Sequence, residues 1–328
     1  MSSLRRLLVA AATVFAASSA ADAQDPARLR RIGLLMPSTQ AATTNLVAAL
    51  EEGLREHGYV KGQNVAMDYR YSDGHADRVP HLAAELVRAK VDVIVTTTDA
   101  VVRTVSQHAR SIPIVMVNTS DPVGGGLVNS LAKPGGNVTG LTNFSPEISG
   151  KRIELLKEAV PGLSRVAYMW NPDLAGAAQV YRDIQAAGRT LNVAIQSAEV
   201  RRAEDIEVAF AALAEGPGTA LLVQAPNPLL YTRRKDIAQR ASDRRMPSMF
   251  NRHEYVSAGG LMSYGPNVPH MYRRAAGYVD SIFKGAKAGD LPVEQPSRFE
   301  LTISLRTARA LGLAIPQSVL MHANAVLE

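Results

Sequence analysis

The chain repeats one rhythm twice, and that repetition limits its folds more than any other feature. Residues 31–36 (RIGLLM) form a compact apolar run that stops at Pro37-Ser38-Thr39. Residues 43–57 then place Leu46, Ala49, Leu50 and Leu54 on one helical stripe, and Gly58 ends it. The alternation continues through residues 65–71 (strand), 76–89 (amphipathic helix), 91–97 (VDVIVTT, fully apolar), 99–109 (helix) and 114–117 (strand). A strand with no polar alternation must be covered on both faces, and short turns between strands and helices give parallel pairing. The expected class is α/β, with a parallel sheet between two helical layers.

The first series ends in SDPVGGGLVNSLAKPGGNVTGLT, residues 120–142. Its consecutive glycines and its Pro-Gly-Gly turn specify tight loops rather than continued helix. A short strand at 138–141 follows, and residues 142–146 lead into a second α/β series. That series reads as helix 146–160, strand 165–170, helix 175–191, strand 194–200, helix 203–214, strand 220–224, helix 229–244, and strands 248–250 and 261–264. The end departs from this rhythm: a long helix at 268–283, a connector at 289–296 carrying Pro292 and Pro296, a strand at 298–304 and a helix through Leu311. This order implies three passages between two Rossmann-like lobes, a three-strand hinge. The expected N-terminal lobe is 30–142 plus 266–294, and the C-terminal lobe 143–265 plus 295–328.

The first 23 residues have the layout of a cleaved signal peptide: a basic Arg5-Arg6, an apolar run over 7–17, and small residues Ala21 and Ala23 at −3 and −1. The apolar run is too short for a membrane span. The chain has no cysteine, which excludes disulfides, thiolate ligands and a lipid-bearing cysteine. The expectation is a protein free in the periplasm, without a lipid anchor. Its net charge of +6 is scattered, with small clusters at 233–235 and 244–245 and no interleaved aromatics, so a nucleic-acid surface is not expected.

In open parallel sheets, ligands sit beyond the carboxyl ends of the strands, where helix N-termini converge. Here those positions hold Ser38, Thr39, Thr97, Thr98, Asn118 and Asp121 in the first series, and Asn171 and Asn227 in the second. These hydroxyls, amides and one carboxylate form hydrogen bonds, and all but Asp121 do so without titrating. The same residue types also cap helices and turns, Asp121 before Pro122 above all. Tyr264 suits either a ligand stack or hinge filling, and Trp170, the single tryptophan, suits either a cleft wall or packing between helices. Catalytic patterns are weak. No zinc-protease, phosphate-loop or nucleophile-elbow motif occurs, and no metal or cofactor is expected. Tyr231 and Lys235 have the spacing of a short-chain dehydrogenase pair, but residues 36–44 contain no glycine, so both are expected to be surface helix residues.

Three stretches resemble the solute-binding proteins of ABC transporters, in the branch that includes tryptophan- and tyrosine-binding members. They are S-D-P-V-G-x-G-L-V-x-S-L-x-x-P-G-G-N-V-T-G over 120–140, G-G-L-x-S-Y-G over 259–265, and the tail over 299–326. This resemblance covers the chain from Arg31 onward. It departs from the family at Ser304 (usually Asn), at Asn324 (usually acidic) and at Thr96-Thr97-Thr98, where a Gly-Thr or Gly-Ser loop is usual. The resemblance implies a periplasmic binding protein type I fold. It also implies a monomeric receptor without enzyme activity that captures a small solute, an amino acid or aromatic acid, and delivers it to an ABC permease. A sensory binding protein and an exported enzyme are the alternatives.

Overall fold

A computed structural model describes residues 29–328, apart from 144–146, 175, 214–215, 217 and 225–226. The expected signal peptide therefore lies outside the described residues.

The first series folds as β1 (Arg30–Met36), α1 (Gln40–Glu56), β2 (Val65–Tyr71), α2 (Val79–Arg88), β3 (Val93–Thr97), α3 (Asp99–His108), β4 (Ile114–Thr119) and β5 (Val138–Thr142). Its sheet runs β2-β1-β3-β4-β5 and is parallel throughout. The apolar runs do what two-sided burial requires. Leu34, Val93, Val95, Val115 and Val117 enter one core, while Leu35, Ile94, Ile114 and Met116 enter another on the opposite face. Gly140 in β5 has φ +129°, and a Cβ there would lie 2.1 Å from the Met116 carbonyl oxygen, so only glycine lets β5 close on β4.

The second series forms α4 (Glu147–Ala159), β6 (Arg165–Trp170), α5 (Ala177–Thr190), β7 (Ala194–Glu199), α6 (Asp205–Ala211), β8 (Thr219–Val223), α7 (Pro228–Thr232), α8 (Arg234–Asp243), β9 (Ser248–Phe250), α9 (His253–Ser257) and β10 (Met262–Pro266). There follow α10 (Val268–Phe283), β11 (Phe299–Ser304), α11 (Leu305–Ala310), α12 (Gln317–Met321) and β12 (Ala325–Leu327). The second sheet runs β12-β11-β10-β9-β8-β6-β7, with β11 antiparallel to β10 and the other pairs parallel. Its strands divide in the same way: Val166, Tyr168 and Trp170 face one core, Ala167 and Met169 the other.

The structure differs from the sequence reading in two ways. The helix expected over 229–244 is broken at Arg233, whose ψ of 11° ends α7 before α8 begins. Three short elements, α9, α12 and β12, carry too little periodicity to read from sequence.

The chain passes between the sheets three times. The first passage follows Thr142; the second is Pro266–Asn267, which sends α10 back to pack on α1 and the first sheet. The third runs from Glu294 to Phe299. These passages lie side by side. Thr142 N–H donates to the Glu294 carbonyl (3.0 Å), and Asn267 N–H to the Arg298 carbonyl (3.0 Å). Among the described residues, no helix is long and apolar enough to cross a membrane.

Candidate ligand-binding cleft

A cavity of about 460 Å³ lies between the two sheets, with walls from both. The first-sheet wall comes from the carboxyl ends of β1, β3 and β4, bringing Ser38, Thr97, Thr98 and Asn118 together. The backbone there is unusual. Asn118 has φ +60°, which Asn tolerates, but Thr98 has φ +64° with ψ 144°, rare for a β-branched residue. Thr98 precedes α3, yet its hydroxyl makes no capping bond. Asp99 fixes the neighbouring loop by accepting from the Ser120 N–H (2.9 Å) and hydroxyl (2.5 Å) and from the Asp121 N–H (3.2 Å). Asn118 is held by its Oδ1, which accepts from Asn143 Nδ2 at 2.7 Å.

The opposite wall is more aromatic and carries charge. It includes Arg152 on α4, Tyr168 on β6, Asp183 on α5, Tyr231 on α7, and Arg252 and Tyr255 around α9; Tyr272 of α10 also lines the cavity, from the first sheet's core beside Met36. Burial pushes the Tyr272 pKa up to about 12, so its phenol stays protonated. Arg252 binds Glu254 through both Nε and Nη2 and lies 4.7 Å from the Tyr231 ring centroid, with Arg234 at 4.6 Å from the same ring. Burial acts to raise the Glu254 pKa, but hydrogen bonding and charge from Arg252 outweigh it and hold the carboxyl below its ordinary range. Arg152 is different. It is only 6 % exposed, and among the described residues its one hydrogen bond runs from Nε to the Tyr264 carbonyl at 2.7 Å. Burial lowers its pKa to about 10, against the nearby Tyr168 and Tyr264, so it remains charged at neutral pH.

Five of the residues expected from sequence line the cavity: Ser38, Thr97, Thr98, Asn118 and Asn227. Asn227 lines it with its amide already engaged, since Oδ1 accepts from Leu230 N–H (3.1 Å) and Nδ2 donates to Gln224 (2.9 Å). The other four are not among the lining residues. Thr39 is the exposed N-cap of α1. Asp121 turns its carboxylate onto the Gly124 N–H at 2.8 Å, a local turn. Asn171 accepts from the Asp173 N–H at 2.9 Å in the same manner. Tyr264 stacks on Phe299 with centroids 5.8 Å apart, beside the hinge. Trp170 packs in the core on Tyr181 (4.7 Å) and Tyr168 (6.1 Å), and its indole N–H donates to Ser197. Lys235 is exposed, but Tyr231 is half-buried in the cavity wall. The reading of Tyr231 as a surface residue is therefore corrected: α7 ends at Arg233, so Tyr231 belongs to a separate short helix that lines the cavity rather than to α8.

Sequence reasoning passed over Arg152, Tyr168, Arg252 and Tyr255. Tyr168 sits inside an apolar strand run and reads as core. Arg152 shares α4 with the exposed Lys151, and the only signal would have been its place between the buried Ser149 and Ile153. Among the described residues, no cluster of metal-ligating side chains occurs.

The chain is similar to several known proteins. A curated relative, the tyrosine-binding protein of Clostridioides difficile (strain R20291), is 24% identical over 84% of this chain and 78% of its own. A conserved domain protein from Vibrio cholerae superposes with a TM-score of 0.80 at 26% identity, covering 91% of this chain and all of that one. An ABC domain from Streptococcus pneumonia solved in complex with L-Trp gives 0.81 at 23% identity, over 92% of this chain and 100% of the other. The family model for ABC transporter substrate binding proteins matches residues 31–327, and the chain belongs to that family.

Proposed function

We propose that this substrate-binding protein is exported to the periplasm after removal of residues 1–23. There it binds an amino acid or aromatic acid in the cavity between its lobes, as a monomer and without turnover, and presents the loaded form to an ABC permease. The observation that carries this reading is the cavity itself, with hydroxyl and amide groups of the first sheet facing an aromatic, basic wall of the second. The relatives described as tyrosine-binding and as complexed with L-Trp support the ligand class.

In this account residues 30–142 with 266–294 move as one lobe and residues 143–265 with 295–328 as the other. Contacts made by both lobes exist only when the cleft is closed, so the ligand shifts the population toward that form. Ser38, Thr97, Thr98 and Asn118 supply hydrogen bonds from the first lobe and Asn227 shapes the second. Thr39, Asp121, Asn171 and Tyr264 support the same loops and hinge from outside the lining.

The test is titration of Trp170 emission in ligand-stripped protein with aromatic amino acids and aromatic acids, alongside native mass spectrometry of unstripped protein. Trp170 stacks on Tyr168, a cavity residue, so occupancy is expected to shift its emission saturably while the compound is recovered unchanged. No bound small molecule in either experiment, or conversion of the compound, would contradict the proposal.

A further inference from the structure

The cavity wall contains a charge that no carboxylate among the described residues pairs with. It is that of the buried Arg152, whose only hydrogen bond among those residues is to a neutral carbonyl. The second arginine in the wall, Arg252, is already matched by Glu254. A buried cation held by a single neutral acceptor is costly unless something else neutralises it. A second unmatched group lies in the same wall. The hydroxyl of Tyr168, a residue 1 % exposed, has no hydrogen-bond partner among the described residues. Such buried orphans are uncommon, and a donor that lines a cavity beside a free cation is placed to serve an incoming acceptor.

The anionic side of the ledger is thin. Asp183 is the one carboxylate in the described lining, it is half-buried, and its Oδ1 already accepts from Gln179 Nε2 at 2.8 Å. A zwitterion's carboxylate would also meet Arg152, but its ammonium would then have only the partly engaged Asp183 to pair with, whereas a monoanion cancels the Arg152 charge and adds no cation of its own. Most of the remaining second-lobe wall is apolar or aromatic, with Val180, Ile184, Leu222 and Tyr255 suited to an apolar body.

We infer that the ligand is an apolar or aromatic monocarboxylate, bound with its carboxylate on the Arg152 guanidinium and the Tyr168 hydroxyl as a second donor. This rests on the proposed binding function and narrows its ligand class from an amino acid or aromatic acid to an apolar or aromatic acid without an ammonium group.

The experiment titrates the ligand-stripped full chain by calorimetry and Trp170 emission. The probes are aromatic and branched aliphatic monocarboxylates, their uncharged amides, and L-tyrosine and L-tryptophan. Acids are expected to bind about 10- to 100-fold more tightly than their amides, the scale of a charge-assisted hydrogen bond, and more tightly than the zwitterions. Arg152→Gln should remove that preference. Because it deletes an uncompensated charge, the ligand-free variant should melt no lower than the parent. Tyr168→Phe, which loses only an unpartnered hydroxyl, should keep the parent's melting temperature and lose about tenfold in acid affinity. Equal binding of acid and amide, zwitterions binding as well as acids, or unchanged affinity in folded Arg152→Gln and Tyr168→Phe would overturn the inference while leaving the binding function standing. If no probe of any class binds and native mass spectrometry finds the protein empty, the binding function itself fails, and this inference fails with it.

Discussion

Thr98 holds a backbone conformation that its branched side chain disfavours, at the point where β3 hands over to α3 in the cavity wall. Such strain costs on the order of 1–3 kcal/mol and is kept where surrounding structure over-determines it. Glycine would relieve it, offset by about 0.5–1 kcal/mol of extra unfolded-chain entropy. Thr98→Gly is therefore expected to raise stability by about 1 kcal/mol in urea unfolding, while losing affinity through the missing hydroxyl. A clear fall in stability would show that the conformation is not strained. The hydroxyl and amide loops were legible from sequence because they directly follow strands, and Ser38, Thr97, Thr98, Asn118 and Asn227 do line the cavity. Which of them only cap was not legible, since capping and ligand contact select the same residue types. Thr39 and Asn171 show it, one an N-cap and the other closing a turn. Two departures from the family pattern find local explanations. Ser304 still caps α11 by accepting from the Thr307 N–H, and Asn324 supplies an acceptor to the Leu301 N–H.

At the scale of elements, the contact between α1 and α10 ties the returning segment to the first sheet. It depends on Gly53, where an added Cβ would lie 2.3 Å from the Arg273 carbonyl oxygen and 2.9 Å from the Ala276 Cβ. In an exposed helix, Gly→Ala would stabilise by about 1 kcal/mol. Here the neighbour is backbone that cannot yield without moving α10. Gly53→Ala is thus expected to destabilise by about 1–3 kcal/mol by urea unfolding, and stabilisation would show that α10 does not pack this closely. Elements with a clear pattern were readable: β2, β6 and α10 begin and end as the sequence predicts, as does the three-residue β9. The antiparallel placement of β11 was not readable, because a strand's direction depends on the path that precedes it. That path here is the third passage between lobes.

For the molecule as a whole, the repeated α/β series made two sheets legible, since apolar strand runs admit few other arrangements. The site between them was only half legible. Its first-sheet wall is built from loops, which announce themselves in sequence. Its second-sheet wall uses Arg152, Tyr168, Tyr231 and Arg252, side chains embedded in or next to regular elements, whose orientation depends on how the lobes face each other. The three side-by-side passages link the lobes through few backbone bonds, the arrangement a hinge needs. Asp121 of the first series already lies against Gly176 of the second, where an added Cβ would stand 3.1 Å from the Asp121 carboxylate.

Proposed ligand-driven closure of the two lobes can be read directly as a distance between them. The chain has no cysteine, so two introduced cysteines can be spin-labelled without background. Labels at the exposed positions Val123, beside the first-lobe loops, and Arg202, on the second lobe, report the distance across the cleft. Double electron–electron resonance on the ligand-stripped protein should show a broad distribution with a longer-distance population. A saturating ligand, identified by titration, should collapse it to one narrow, shorter distance. An unchanged distribution at saturation would contradict closure and leave the cleft a rigid pocket.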